Sequence, residues 1–364
     1  MVRLANVRMR SMLLLVQFLS TCSGIEFKEP DEYSCEKERV SPTGKSPTCM
    51  CESGKCTLSV KLGFGHVAIP EARTGLHGPL HMLGFNTPGE DGLPFEVNKT
   101  MYVNGTSPGP TLRVRAGDTL RILLHNNLPH EWVDTGSIEE GMHSFDTVNL
   151  HTHGLHTSPR APGDEIIHTR VGPNEMHQYV YNIPDDHMGG THWYHPHWHG
   201  AVTIHVNFGA AGMLIVEDAV NQLPDELRYK DSSTDNLIME DYIVAAFHVD
   251  FNDTTRITNK YVKNCICMNT AECHKCQSFF DRKKPKECNE FDMLCIQQGC
   301  KVGTNKDTSM CAAQAAPFFV NPEDFPHTND NLLLVNGQFE PKLNITANTW
   351  VRLRLGLMAT GKVL

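Results

Sequence analysis

Two stretches of this chain repeat one another 231 residues apart, and that repeat limits the possible folds more than any other feature. The first runs Pro110-Thr111-Leu112-Arg113-Val114-Arg115-Ala116-Gly117-Asp118 and on to Leu120-Arg121-Ile122. The second runs Pro341-Lys342-Leu343-Asn344-Ile345-Thr346-Ala347 and on to Val351-Arg352-Leu353. Val103-Asn104-Gly105 and Val335-Asn336-Gly337 precede them, with a gap of one residue in the alignment. Both copies alternate apolar and polar residues, the period of a strand that buries one face. A turn at Gly117-Asp118 or Asn348-Thr349 divides each copy, so each reads as the paired strands of a hairpin. Repetition over this length predicts two related β domains.

The first copy continues through two histidine clusters to a strand at Met213-Leu214-Ile215-Val216-Glu217-Asp218, whereas the second stops at Leu364. The expected organisation is a cysteine-bearing arm over 25–66, a complete domain over 67–219 and a polar linker over 220–235. An incomplete second domain follows over 236–364, opening with a strand at Asn236–Tyr242 and interrupted by a cysteine-rich insertion at 265–311. On this reading the chain is the front portion of something longer.

Residues 1–24 read as a secretory signal: Arg3, Arg8 and Arg10 precede the apolar run Met12–Val16, and small residues follow. That run is far shorter than the roughly 20 residues a spanning helix needs, and no later segment looks transmembrane. A net charge of −10 gives no support for nucleic-acid binding, which shows as a basic field. Beyond Cys22, twelve cysteines fall into even groups, four early (Cys35, Cys49, Cys51, Cys56) and eight between Cys265 and Cys311. Even groups in a secreted chain predict disulfides, with the Cys265–Cys276 stretch open to a zinc-knuckle reading as well. Four glycosylation sequons, at Asn98, Asn104, Asn252 and Asn344, agree with a secreted, extracellular fate.

Twelve of the twenty histidines lie between His143 and His205. Asn149-Leu150-His151-Thr152-His153-Gly154 and Trp193-Tyr194-His195-Pro196-His197 each place imidazoles at i and i+2, which share one side of a strand. Pro196 argues against a helix interior there, so His195 and His199 do not form a helical i, i+4 pair. Four neutral imidazoles without a carboxylate or thiolate suit a nitrogen-preferring, borderline-soft metal such as copper, zinc or iron. From the residues alone three readings stand: a copper site that reduces dioxygen, a zinc hydrolase, or histidines that are satisfied polar residues. The zinc reading follows a metallo-β-lactamase-like H-x-H-x-D-H pattern, with Leu155 standing where that pattern needs an acid.

At these residues the sequence resembles the multicopper oxidases, the family of laccases and ascorbate oxidases. The resemblance rests on Asn104-Gly105 with Pro108-Gly109-Pro110-Thr111, Gly117-Asp118, His151-Thr152-His153-Gly154, Gly190-Thr191-His192-Trp193-Tyr194-His195-Pro196-His197 and Ala211–Asp218, in that order. It implies an all-β architecture of cupredoxin-like Greek-key sandwiches. It further implies that His151 binds a type 2 copper, that His153, His195 and His197 bind the type 3 pair, and that dioxygen is reduced to water. The electrons come from a reducing substrate whose identity the resemblance leaves open. A carboxylate near the copper cluster supports proton delivery in the family; Asp164 is its match here, with Glu165 as a rival. His156 and His199 read as neighbours of the ligands. The full pattern also needs two more His motifs and a His-Cys-His segment near the C terminus, the latter for type 1 copper. Residues after His199 show neither, so the chain alone is expected to be inactive as an oxidase, the alternative being a non-enzymatic copper binder.

Overall fold

The computed structural model describes residues 25–35, 47–74, 80–86, 95–97, 100–102, 106–128, 144, 146–219, 223–224, 239–250, 331–347 and 349–358. The expected signal, most of the linker, the cysteine-rich insertion and the sequons at Asn98, Asn104 and Asn252 lie outside the described residues.

The first repeat copy forms β7 (Gly109–Val114) and β8 (Thr119–Asn126). Its alternation sends Leu112, Val114, Leu120, Ile122 and Leu124 into one core, each at most 3% exposed. The two strands are nevertheless not the hairpin expected from the sequence. β7 pairs in parallel with β1 (Glu32–Tyr33) and β12 (Gly212–Val216), whereas β8 pairs with β3 (Lys55–Ile69) and β10 (Met176–Asn182) in another sheet. The segment between them is an arch from one sheet to the other. It is held by Asp118, whose carboxylate accepts the backbone N–H groups of Arg115 and Cys56, both at 2.8 Å. A two-residue period states which face a side chain takes; it does not state which strand pairs with which.

The five-stranded sheet has the order β1-β7-β12-β11-β9, with β9 at His151–His153 and β11 at Gly190–His195. The seven-stranded sheet runs β10-β8-β3-β6-β5, where β5 is Phe95–Val97 and β6 is Thr100–Tyr102. β2 (Thr48–Glu52) and β4 (Leu80–Asn86) add to it by pairing with β3. Between the sheets, Leu58, Val60, Leu62 and Phe64 of β3 meet Leu112, Val114, Tyr194, Leu214 and Val216 of the other layer. Two sheets packed face to face make this the all-β sandwich anticipated from the sequence. Among the described residues only α1 (Glu71–Thr74) and α2 (Val202–Asn207) are helical. The cysteine-bearing stretch belongs to the sandwich, since β3 crosses the 66/67 position. Its cysteines pair as Cys35–Cys49 and Cys51–Cys56.

A third sheet has the order β15-β14-β13-β16, with β13 at Met239–Asp250, β14 at Asn331–Val335, β15 at Gln338–Phe339 and β16 at Trp350–Met358. β13 lies parallel to β16 just as β3 lies parallel to β8, so the two repeat copies occupy matching places. The match is looser before the turn, where the second copy has only a bridge between Lys342 and Glu26 in place of a strand. One face of the third sheet packs on the first sandwich: Ile243, Ala245, Phe247, Leu334 and Met358 meet Val67, Ile69, Met82, Met213 and Ile215. β12 is therefore buried on both faces, which explains its unbroken apolar run.

Candidate metal centre

β9 and β11 are antiparallel neighbours, and their register places His151 opposite His195 and His153 opposite Trp193. His151 and His153 face one side of β9, as the i, i+2 spacing predicts. The second pair differs, because His195 ends β11 and His197 lies beyond it in a non-helical stretch containing Pro196. The backbone N–H of His197 donates to Asn149 Oδ1 at 2.7 Å, and Asn149 Nδ2 donates to the Ile166 carbonyl at 3.0 Å. Asn149 thus ties the segment after β11 to the one before β9.

The four rings converge. Centroids lie 5.1 Å apart for His151 and His153, 5.4 Å for His151 and His195, 5.1 Å for His151 and His197, and 5.7 Å for His195 and His197. Ligand nitrogens of His151, His153 and His195 all lie within 4.8 Å of one another. His195 is 4% exposed, and its Nε2 is buried with no hydrogen-bond partner. A buried imidazole nitrogen facing other imidazoles with no donor or acceptor is unexpected in a packed interior and natural for a metal ligand. The remaining ring nitrogens are occupied in the manner of metal-binding histidines: His151 Nδ1 meets Asp164 Oδ2 at 2.7 Å, and His195 Nδ1 meets the Pro196 carbonyl at 2.8 Å.

Burial, reinforced by the neighbouring imidazoles, drives the basicity of His195 down to about 3 against its carbonyl bond. His153 and His197 are lowered as well, burial again the largest cause. Three of the rings therefore stay neutral near pH 7 with lone pairs available, which suits a nitrogen-preferring metal such as copper, zinc or iron. Trp193 stacks on His195 at 4.2 Å and lies tilted against His153 at 5.0 Å.

The two acids expected as proton carriers separate clearly. Asp164 touches His151, and its other oxygen accepts the Thr152 N–H at 2.9 Å. Glu165 turns away and caps the next loop, accepting the N–H groups of Ile167, His168 and Thr169 at 2.6–3.0 Å and the Thr169 hydroxyl at 2.8 Å. Burial opposes its charge, but these donors outweigh it and hold its carboxyl at about 2. His156 donates its backbone N–H to His187 Nε2 at 3.2 Å and does not join the four-ring group. Sequence reasoning quoted Asn149 and Trp193 without using them; their place beside the ligands was the available signal.

Residues 90–135 and 142–221 match the sequence profile of a family described as multicopper oxidase. Laccase-1 of Thanatephorus cucumeris is 33% identical over 98 residues, which cover 26% of this chain and 15% of that protein. The putative multicopper oxidase GMC1 of Saccharomyces cerevisiae is 30% identical over 146 residues, 38% of this chain and 22% of that one. The L-ascorbate oxidase of Nicotiana tabacum is 31% identical over 125 residues, 34% and 18% respectively. The matched segments thus span less than a quarter of these relatives' own lengths. Among solved structures, a multi-copper oxidase from Pediococcus acidilactici shows a TM-score of 0.38 at 17% identity, covering 62% of this chain and 34% of that one.

Proposed function

We propose that this chain, which carries a multicopper oxidase domain over residues 90–135 and 142–221, uses His151, His153, His195 and His197 to hold copper. The observation that carries the reading is the convergence of His151, His153 and His195, whose ligand nitrogens lie within 4.8 Å of one another, together with the buried, unpartnered Nε2 of His195. Copper bound there supplies one-electron redox chemistry, through which dioxygen is reduced to water at the expense of a reducing substrate. Following the sequence resemblance, His151 takes the type 2 role and the other three the type 3 roles.

The protein's own contribution is geometric and electrostatic. Strand pairing between β9 and β11 sets the spacing of the rings, and Asp164 and the Pro196 carbonyl fix which nitrogen of His151 and His195 faces inward. Asp164 is the carboxylate that touches a ligand ring among the described residues, so it both orients His151 and stands where a proton would pass. The two disulfides and the exposed sequon at Asn344 support a secreted, extracellular setting. No described helix is long and apolar enough to cross a membrane.

Protein purified from its native source tests the reading. Copper in the preparation, with oxygen uptake that needs a one-electron donor such as a phenol and stops when copper is chelated, is expected. Retained copper without oxygen uptake from phenol, aromatic amine, ascorbate or ferrous donors would replace the oxidase with a copper-binding protein.

A further inference from the structure

We infer that His192, outside the four-imidazole group, is a positioning residue for His153; this rests on the copper-holding role proposed above. Three of the four rings have a hydrogen bond of their own: His151 to Asp164, His195 to the Pro196 carbonyl, and His197 to its own carbonyl. His153 is the exposed member of the group, and among the described residues no side-chain hydrogen bond holds its ring. Its direction must come from its backbone and from the face of Trp193.

His192 supplies the backbone restraint. It precedes Trp193, the register partner of His153, and its ring donates to the His153 carbonyl. Its Nε2 is buried without a partner, so the donor is Nδ1–H. Directly after that carbonyl the chain turns at Gly154, whose φ is +92° and where a Cβ would stand 2.6 Å from His192 Nδ1. The backbone at 153–154 is therefore wrapped onto the imidazole, and only glycine permits both the turn and the approach. Gly190 makes room on the far side, since a Cβ there would come within 3.2 Å of His192 Nε2, and the His187 ring packs at 5.5 Å. A ring confined in this way fixes the carbonyl of His153, and with it the direction in which its side chain leaves β9. Partners that orient metal ligands are worth 10–100-fold in metal affinity.

Three full-length variants test this. In His192→Asn the amide can reach the Nδ1 position; His192→Gln carries its amide farther out; His192→Leu has no donor. In copper-free protein, nuclear Overhauser contacts between the His153 and Trp193 rings should persist in wild type and His192→Asn and vanish in His192→Gln and His192→Leu. Copper affinity should follow the same division, falling about 10–100-fold in the latter two. Retained contacts and affinity in His192→Leu, or His192→Asn as weak as His192→Gln, would overturn the inference. If His192→Leu does not fold, the Asn and Gln pair decides. Ring contacts that follow the donor in a wild type that binds no copper would support the positioning role and sink the copper-holding one.

Discussion

The chemistry of the site rests on which nitrogen each imidazole presents. Asp164 holds His151 Nδ1 at 2.7 Å and leaves Nε2 for a metal, so Asp164→Asn, which keeps the shape and loses the charge, should weaken copper binding about 10–100-fold in chelator competition. Unchanged affinity would remove Asp164 from the site. His195 gives a pH signature. Its ordinary value of 6.5 falls to about 3 on folding, so between those limits the unfolded chain takes up a proton that the folded chain refuses. Stability from this group is complete above pH 6.5 and is lost as pH falls toward 3. Copper-free His195→Gln should therefore lose less Tm than wild type on acidification through that window; parallel curves would contradict the burial of a neutral ring.

At the scale of elements, β16 inverts the usual pattern of a sheet facing water. Arg352 and Arg354 point toward the sandwich and Leu353 and Leu355 away from it. Asp241 on β13, its side chain 1% exposed, accepts Arg352 Nη2 at 2.7 Å and Arg354 Nε at 2.9 Å, and Arg352 reaches Asp218 at the end of β12. Asp241→Ala should cost about 3–5 kcal/mol in denaturant unfolding, because it removes the buried carboxylate that both guanidinium groups share. A loss under about 1 kcal/mol would show the network to be a dispensable surface pairing. Element-level features were unevenly legible from sequence. The i, i+2 histidines announced β9, and the apolar run announced the strand β12 but not its burial on both faces. The same alternation at Leu112 and Leu120 suggested a hairpin, because periodicity reports faces whereas pairing depends on tertiary partners such as β3. The positioning role inferred for His192 was not legible, because it lies in a backbone contact, which no residue spacing encodes.

Across the whole molecule, two cores share β12: the sandwich interior on one face and the packing of the third sheet on the other. The outer face of that third sheet carries Leu333, Leu353, Leu355 and Leu357, from 37% to 67% exposed. Residues 235–364 made alone would expose this stripe together with Ile243, Phe247, Leu334 and Met358, and should aggregate. A monomeric fragment with a cooperative melt would contradict that. The sandwich, by contrast, positions His151, His153 and His195 on β9 and β11, with His197 tied just beyond by Asn149. The most direct test is anomalous diffraction at the copper absorption edge from crystals of the copper-soaked chain. Copper peaks in bonding contact with ring nitrogens of His151, His153, His195 and His197 are expected; copper elsewhere, with those four rings apart or bare, would contradict the central claim.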